Sequence, residues 1–276
     1  MAVWFITGVS AGLGRALAAA ALERGDAVHG TVRSSAAADA FAALGPAARA
    51  VMLDVTDEAA LTTAIHAAGP IDILVNNAGY GLAGAVEEVG LAEARAQFEV
   101  NVFAPLAAIR AALPGMRARK SGHVINITSV SGIAVWPGTG VYCASKFALE
   151  AIGRALRDEV QEFGIAVTNV APGGMRTDYA GRSLVKPAMP VAAYDGGVGH
   201  AAQDILADHA GHEPGDPARA AAAILAIAGR ADAPRHLLLG TDALHYAERE
   251  LELIEADIAA HRQVSLSIAF PGEGAA

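Results

Sequence analysis

Short, almost wholly apolar runs alternate along this chain with longer stretches whose apolar residues recur at helical spacing. That alternation constrains the fold more than any other feature of the sequence. Residues 3–7, 27–32, 50–53, 71–75, 123–128, 165–170 and 236–239 read as strands. Residues 15–24, 36–44, 57–68, 91–119, 142–163, 217–228 and 242–262 read as helices, with Pro105 and Pro114 predicting a bend or break in the fourth. Strands that are apolar on both faces must be covered on both faces. The expected fold class is therefore α/β: a doubly wound, Rossmann-type parallel sheet of about seven strands with helices on both sides. The chain is expected to form a single domain over residues 1–276. Residues 173–215, rich in Gly and Pro and weakly periodic, are long for an ordinary loop and read as a substrate loop or lid, and residues 271–276 as a frayed tail.

A hydrophobic fraction of 53% against 18% charged residues supports a large core and argues against disorder. The net charge of −9 and the absence of a basic run exclude an electrostatic nucleic-acid footprint. Cys143 is the lone cysteine, so no disulfide can form within the chain, which fits a reducing compartment. The first residues carry no basic region like that of a signal peptide, and no apolar run reaches the roughly 18 residues of a membrane span. The expected location is cytoplasmic, with no membrane partner. A glycosylation sequon at Asn126 falls inside an expected buried strand.

Thr7-Gly8-Val9-Ser10-Ala11-Gly12-Leu13-Gly14 lies where the first strand hands over to the first helix. Glycines there let the backbone approach a pyrophosphate, and a helix N-terminus offers free N–H groups and a positive dipole. The spacing is G-x-x-x-G-x-G, not the commoner G-x-G-x-x-G. Gly8, Gly12, Gly14 and the Leu13 backbone are candidate phosphate contacts, and Ser10 can donate a further hydrogen bond. At the tip of the second strand, an acidic residue would bind a ribose 2′-hydroxyl and repel a 2′-phosphate. This chain has Val32, Arg33, Ser34 and Ser35 there. A guanidinium without a carboxylate suits a 2′-phosphate, so NADP(H) is preferred and NAD(H) is the alternative.

Tyr142 and Lys146 stand at i and i+4 of the longest clean helix, so they share a face. A phenol with an ordinary pKa of about 10 must gain roughly 4 kcal/mol to ionise near neutrality. An ammonium about 4 Å away at an effective dielectric of 20 supplies roughly that much, with desolvation offsetting part of it. Tyr142 can then give a proton to a forming alkoxide, or take one from an alcohol. Cys143 points about 100° away on the helix and reads as packing.

In order along the chain, Thr7–Gly14, Asn76-Asn77-Ala78-Gly79, Asn101-Val102, Ile127-Thr128-Ser129, Tyr142-Cys143-Ala144-Ser145-Lys146 and Pro172-Gly173 with Thr177 resemble the short-chain dehydrogenase/reductase family. The resemblance covers the chain from Thr7 to about Thr177. It implies a catalytic set of Asn101, Ser129, Tyr142 and Lys146. Ser129 would hydrogen-bond the substrate oxygen, Lys146 would also hold the nicotinamide ribose, and Asn101 would hold a water linked to Lys146. The resemblance further implies that Asp54 contacts the adenine and that Asn77, Ala78 and Gly79 line the cofactor cleft. Pro172, Gly173 and Thr177 would then hold the nicotinamide. It also implies a homodimer or homotetramer built on residues 91–119 and 142–163.

Val130, Ser131, Trp136, Tyr80, Leu82, Met175, Tyr179 and Tyr194 are candidate substrate walls, mostly apolar or aromatic, with Arg176 and Arg182 the cations nearest to them in sequence. A neutral, fairly apolar carbonyl or alcohol is the expected substrate. His209, His212 and Glu213 are too loosely arranged to read as a metal site, and Asp72, Glu87 and Glu88 read as ordinary surface charges. Two other readings stay open: an epimerase or dehydratase on the same fold, and a nucleotide-sensing protein without turnover.

Overall fold

A computed structural model of the protein describes residues 1–177 and 183–270. Its centre is a seven-stranded sheet of β1 (Val3–Ile6), β2 (Ala27–Val32), β3 (Ala48–Met52), β4 (Ile73–Asn76), β6 (Gly122–Ile127), β7 (Ile165–Pro172) and β9 (His236–Leu239). The spatial order is β3-β2-β1-β4-β6-β7-β9, and every neighbouring pair is parallel. The order reverses between β1 and β4. In open parallel sheets, ligands bind at the carboxyl ends of the strands beside such a reversal.

Alternation within β1 assigns the two faces. Trp4 and Ile6 pack with Leu17, Phe41, Ala221 and Ile224 on the side covered by α1 (Gly12–Glu23), α2 (Ser35–Ala42) and α8 (Pro217–Ile227). Phe5 points the other way, to Leu61, Ile65, Met116, Leu156 and Val160 of α3 (Glu58–Ala67), α5 (Ala104–Arg119) and α6 (Gly140–Val160). Each fully buried Leu, Ile or Phe contributes roughly 1.5–3 kcal/mol, so both faces of the sheet are held by their helix layers.

The expected helix over 91–119 is α4 (Leu91–Phe98), a π turn (Glu99–Phe103) and α5. Pro105 gives the physical reason. In a continuous α-helix the carbonyl of Asn101 would accept from the N–H of residue 105, and proline has none. The first helix starts at Gly12, earlier than residue 15, because the glycine turn itself winds into it. Residues 173–215 contain structure that their composition hides. A two-stranded parallel sheet pairs β5 (Gly81–Leu82) with β8 (Leu184–Val185), α7 spans Val198–His209, and Met175 bridges to Gly215. The last helix, α9, runs from Thr241 to Leu266. The expected frayed tail at 271–276 lies outside the described residues.

Candidate active site

Three sequence segments meet at the carboxyl end of β1. Helix α1 begins there on Ala11, whose side chain provides no cap, so the helix N-terminus opens at the carboxyl end of the strand. The turn is fixed from β4. Thr7 Oγ1 accepts the N–H groups of Asn77 (2.9 Å) and Ala78 (3.0 Å), while Asn77 Nδ2 donates to the carbonyls of Thr7 (2.8 Å) and Gly8 (2.9 Å). A methyl at Gly14 would run into the Gly8 carbonyl and Asn77 Nδ2, so only glycine lets the turn close. The Asn77 amide is thus a clamp on the glycine turn. Leu13 buries its side chain in the core, leaving its backbone at the turn.

Around this turn the structure gathers most of the expected cofactor contacts. Ser10 is exposed at its tip. Thr177 lies over it, 3.4 Å from where a side chain on Gly12 would begin. Arg33 is exposed at the end of β2, and its charge helps to hold the nearby Asp54 below the usual carboxylate range. The larger causes of that lowering are hydrogen bonds to Asp54 from the Thr56 N–H and hydroxyl. Pro172 ends β7. Gly173 follows with its N–H on Leu239 and no room for a methyl beside the Asp242 carboxylate, which accepts from Gly174 N (2.7 Å).

Across the β1–β4 reversal, α6 presents Tyr142 and Lys146, both buried. Lys146 Nζ stands 5.9 Å from the centroid of the Tyr142 ring and donates to the Ile127 carbonyl (3.0 Å). Burial pushes the Lys146 ammonium down to about 8, opposed by the Glu150 carboxylate, which raises it. Ser129 follows β6 and starts a single turn, Val130–Gly132, that packs on α6, and its Oγ accepts from Ser131 N (3.0 Å). Gly79 places its α-carbon beside Asn101 and Lys146: a methyl there would lie 3.2 Å from Asn101 Oδ1 and 3.6 Å from Lys146 Nζ.

Asn101 sits in the π turn. Both of its amide hydrogens are engaged, one on the Tyr80 carbonyl and one on Ser145 Oγ, each at 3.0 Å, and its Oδ1 accepts from Tyr80 N (3.2 Å). Ser145 in turn donates to the Tyr142 carbonyl (2.7 Å). The side chain of Asn101 therefore ties the end of β4 to α6, and no donor of it is left over for a water. Sequence reasoning passed over Ser145, although it stands inside the Tyr-x-x-x-Lys segment. Cys143 is buried with its Sγ 3.3 Å from Thr139 Oγ1, as packing requires.

Glu88 is not a surface charge. It is buried, and it accepts from Ala85 N (2.8 Å), Val191 N (2.7 Å) and His200 Nε2 (2.8 Å). The Val191 N–H foremost, with His200 and Ala85 assisting and burial opposing, holds this carboxyl below its ordinary range. Asp72 also has a structural task, accepting from Val3 N (2.8 Å), and Glu87 accepts from the Tyr194 hydroxyl (2.7 Å). Leu82 and Val130 are buried beside the cleft, Ser131 is buried with them, and Trp136 meets Tyr246 edge-on at 5.1 Å. Arg176 Nε donates to the Glu213 carbonyl (2.8 Å). Tyr179 and Arg182 lie outside the described residues, as does the side chain of His209. Glu213 Oε2 accepts from Gly211 N (2.9 Å), and no group of three or more potential metal ligands occurs among the described residues. A cavity of about 540 Å³ lies at the amino ends of β1, β4, β6 and β7, against Ala2, Asp72, Gly122 and Ala166, at the far end of the sheet from Tyr142 and the glycine turn. No helix among the described residues is long and apolar enough to cross a membrane.

A family model described as short chain dehydrogenase matches residues 2–186. Oxidoreductase BOA17 of Botryotinia fuckeliana is 36% identical over 273 residues, which span 97% of this chain and 99% of that protein. The crystal structure of a short-chain dehydrogenase from Streptomyces avermitilis superposes with a TM-score of 0.90 at 39% identity, covering 98% of this chain and 100% of that one. A short chain dehydrogenase/reductase from Burkholderia phymatum in complex with NAD superposes with a TM-score of 0.80 at 25% identity, covering 93% and 95%.

Proposed function

The chain belongs to the short-chain dehydrogenase family of oxidoreductases, and on that premise we propose that it moves a hydride between NADP(H) and a neutral ketone, aldehyde or secondary alcohol. The observation that carries the reading is the placement of Tyr142 and Lys146 together on the inward face of α6, with the ammonium 5.9 Å from the phenol ring. They stand at the sheet end where the uncapped start of α1 opens.

The residues present fit a dinucleotide. The N-terminus of α1, which Ala11 does not cap, and the close-packed Gly8–Gly14 turn suit a pyrophosphate. Exposed Arg33, with Ser10 near by in the turn, suits a 2′-phosphate, while the NAD bound by the Burkholderia phymatum relative keeps NAD(H) as the alternative. When bound, the cofactor supplies or accepts the hydride. Tyr142 donates the proton to the carbonyl oxygen in reduction and removes it from the hydroxyl in oxidation. Lys146 stabilises the phenolate by its charge and holds the ribose. Ser129 orients the substrate oxygen. With the Asn101 side chain engaged on Tyr80 and Ser145, a relay water falls to its main-chain carbonyl, which Pro105 leaves without an α-helical donor.

Leu82, Val130 and Trp136 favour an apolar substrate, and the engagement of Arg176 with Glu213 favours a neutral one. The stretch 173–215, of which 178–182 lie outside the described residues, is on this reading the substrate loop or lid. Leu91, Phe103 and Phe147, 72%, 50% and 40% exposed on α4, the π turn and α6, favour a homo-oligomer formed through these helices. Tyr142→Phe tests the reading. It should lower NADPH-dependent ketone reduction by about a thousandfold or more and leave cofactor affinity within about twofold of the parent. Reduction at the parent rate by the variant would refute the mechanism.

A further inference from the structure

Helix α6 continues past the acid/base pair with a third functional group on the same face. Tyr142, Lys146 and Glu150 are spaced i, i+4, i+8, and Glu150 is buried. An unpaired carboxylate in such a place is costly, yet this one is fully engaged. Oε1 accepts from Thr128 Oγ1 (2.6 Å), Oε2 accepts from Asn169 Nδ2 (2.7 Å), and His236 Nδ1 lies 3.3 Å from Oε2, close enough for an ion pair and off the geometry of a hydrogen bond.

Register gives the arrangement its meaning. Lys146 holds the carbonyl of Ile127, and one helical turn on, Glu150 holds the hydroxyl of Thr128. The next residue is Ser129. Two successive rungs of α6 thus grip two successive residues at the end of β6, immediately before the serine. Gly132 closes the same turn onto the helix: a methyl there would lie 2.8 Å from Glu150 Cγ and 3.0 Å from the Lys146 carbonyl. On its far side, the carboxylate ends a buried amide chain that crosses the sheet, from Asn76 Nδ2 to Asn126 Oδ1 (2.9 Å) and from Asn126 Nδ2 to Asn169 Oδ1 (3.0 Å). Gly153 makes room for that chain, since a methyl there would run into Asn169.

We propose that Glu150 is a positioning residue for the proton transfer proposed above. Its carboxylate locks the Ser129 turn in register with Tyr142 and Lys146, and it supplies the negative charge that balances the buried Lys146 ammonium. This inference rests on the hydride-transfer reading. The titratable groups facing the carboxylate, among the described residues, are Lys146 on its own helix and His236 on β9, with Tyr142 one turn beyond Lys146. β6, β7 and the Ser129 turn present only the neutral side chains of Thr128, Asn126 and Asn169. Burial lowers the Lys146 ammonium, and Glu150 is the group that opposes it. Burial also acts to raise the Glu150 carboxyl, but the contacts from His236, Thr128 and Asn169 outweigh it and hold that carboxyl below its ordinary range.

The lysines of this chain are Lys120, Lys146 and Lys186, so selective labelling with 13Cε-lysine gives a simple spectrum in which Lys146 titrates on its own, assigned with Lys146→Met. In the parent the Lys146 midpoint is expected near the value of about 8 that its burial sets. In Glu150→Gln it should fall by about one pH unit, and Glu150→Asp should restore part of the shift. Thr128→Val removes the tie to the Ser129 turn and keeps the charge. It should leave the lysine midpoint unmoved and lower the turnover of an aromatic ketone with NADPH by about tenfold at unchanged cofactor affinity. An unmoved midpoint in folded Glu150→Gln would overturn the charge role, and full turnover in Thr128→Val would overturn the register role. If Glu150→Gln does not fold, Glu150→Met, which removes the charge and leaves no buried amide to satisfy, decides: a lowered Lys146 midpoint supports the charge role and an unmoved one overturns it. The titration needs neither substrate nor cofactor. A failure there therefore leaves the hydride-transfer reading standing, whereas a parent protein inert to NADPH would fail that reading alone.

Discussion

The two sides of the cleft are built by different means. The side proposed for the cofactor is a matter of backbone. Gly8 and the clamp from Asn77 fix a turn that leaves no room for a side chain at Gly14, and the parallel sheet behind it holds β1 and β4 in register. The side proposed for the substrate is a matter of carboxylates. Glu88 holds residues 85, 191 and 200 together, and Glu93 Oε1 accepts from Ala188 N (2.8 Å) while its Oε2 accepts from Gly90 N (2.8 Å). Among the described residues the sheet pairing on this side is short: the two-residue pair of β5 with β8 and the single Met175–Gly215 bridge. A side built of close-packed backbone admits one ligand shape. A side strapped by a few long-range hydrogen bonds can change its occupant by changing a few residues.

The largest effect that would break this contrast is on the backbone side. Gly14→Ala should weaken NADPH binding by more than about a hundredfold, because the methyl must displace the Gly8 carbonyl or Asn77. Fluorescence titration measures it, and parent-like affinity would show that the turn has slack the geometry denies. On the other side, Glu88→Gln should raise the KM of an apolar ketone by roughly fivefold to twentyfold with NADPH affinity unchanged. Loss of cofactor binding in that variant would show that the two sides are one unit.

Acid separates the sides by a smaller effect. His123 is buried in β6, accepting from Gly229 N (3.1 Å) and paired with Thr168 Oγ1 (3.0 Å). Burial foremost, with the Arg157 charge assisting, lowers it to about 4 from an ordinary 6.5. The folded state holds it neutral, so its contribution is complete above about pH 6.5 and is lost as pH falls towards about 4. A shift of that size corresponds to roughly 3 kcal/mol. The Glu88 carboxyl also has a lowered folded value. Its contribution is present above the ordinary 4.5 of a glutamate and is lost only as pH falls below that. The melting temperature should therefore begin to fall near pH 6.5, and His123→Gln should flatten that first part of the curve. An unchanged slope in the variant would remove His123 from the account.

The same contrast explains what could be read from the sequence. The placement of the glycine turn after a strand, and of Tyr142 and Lys146 on one helix face, was legible because those constraints are local. The parallel sheet was legible because doubly buried strands carry unbroken apolar runs. The substrate side was not, because its contacts are long-range. Glu88 and His200 are 112 residues apart, and nothing around Glu88 in the sequence distinguishes it from a solvated glutamate. Two-residue strands such as β5 and β8 are too short to show a period, and the glycines around α7 hid it. Glu150 was missed for the same reason, since its partners Thr128, Asn169 and His236 come from three other segments. The split of the helix over 91–119 at its π turn was partly legible, through Pro105.

The most direct measurement is a paired titration of the parent protein with NADPH and with NADH, followed by quenching of its tryptophan fluorescence. The account predicts binding of both, with NADPH tighter by about tenfold or more and the preference abolished in Arg33→Ala. Tighter binding of NADH would contradict the role given to Arg33, and binding of neither would contradict the cofactor site itself.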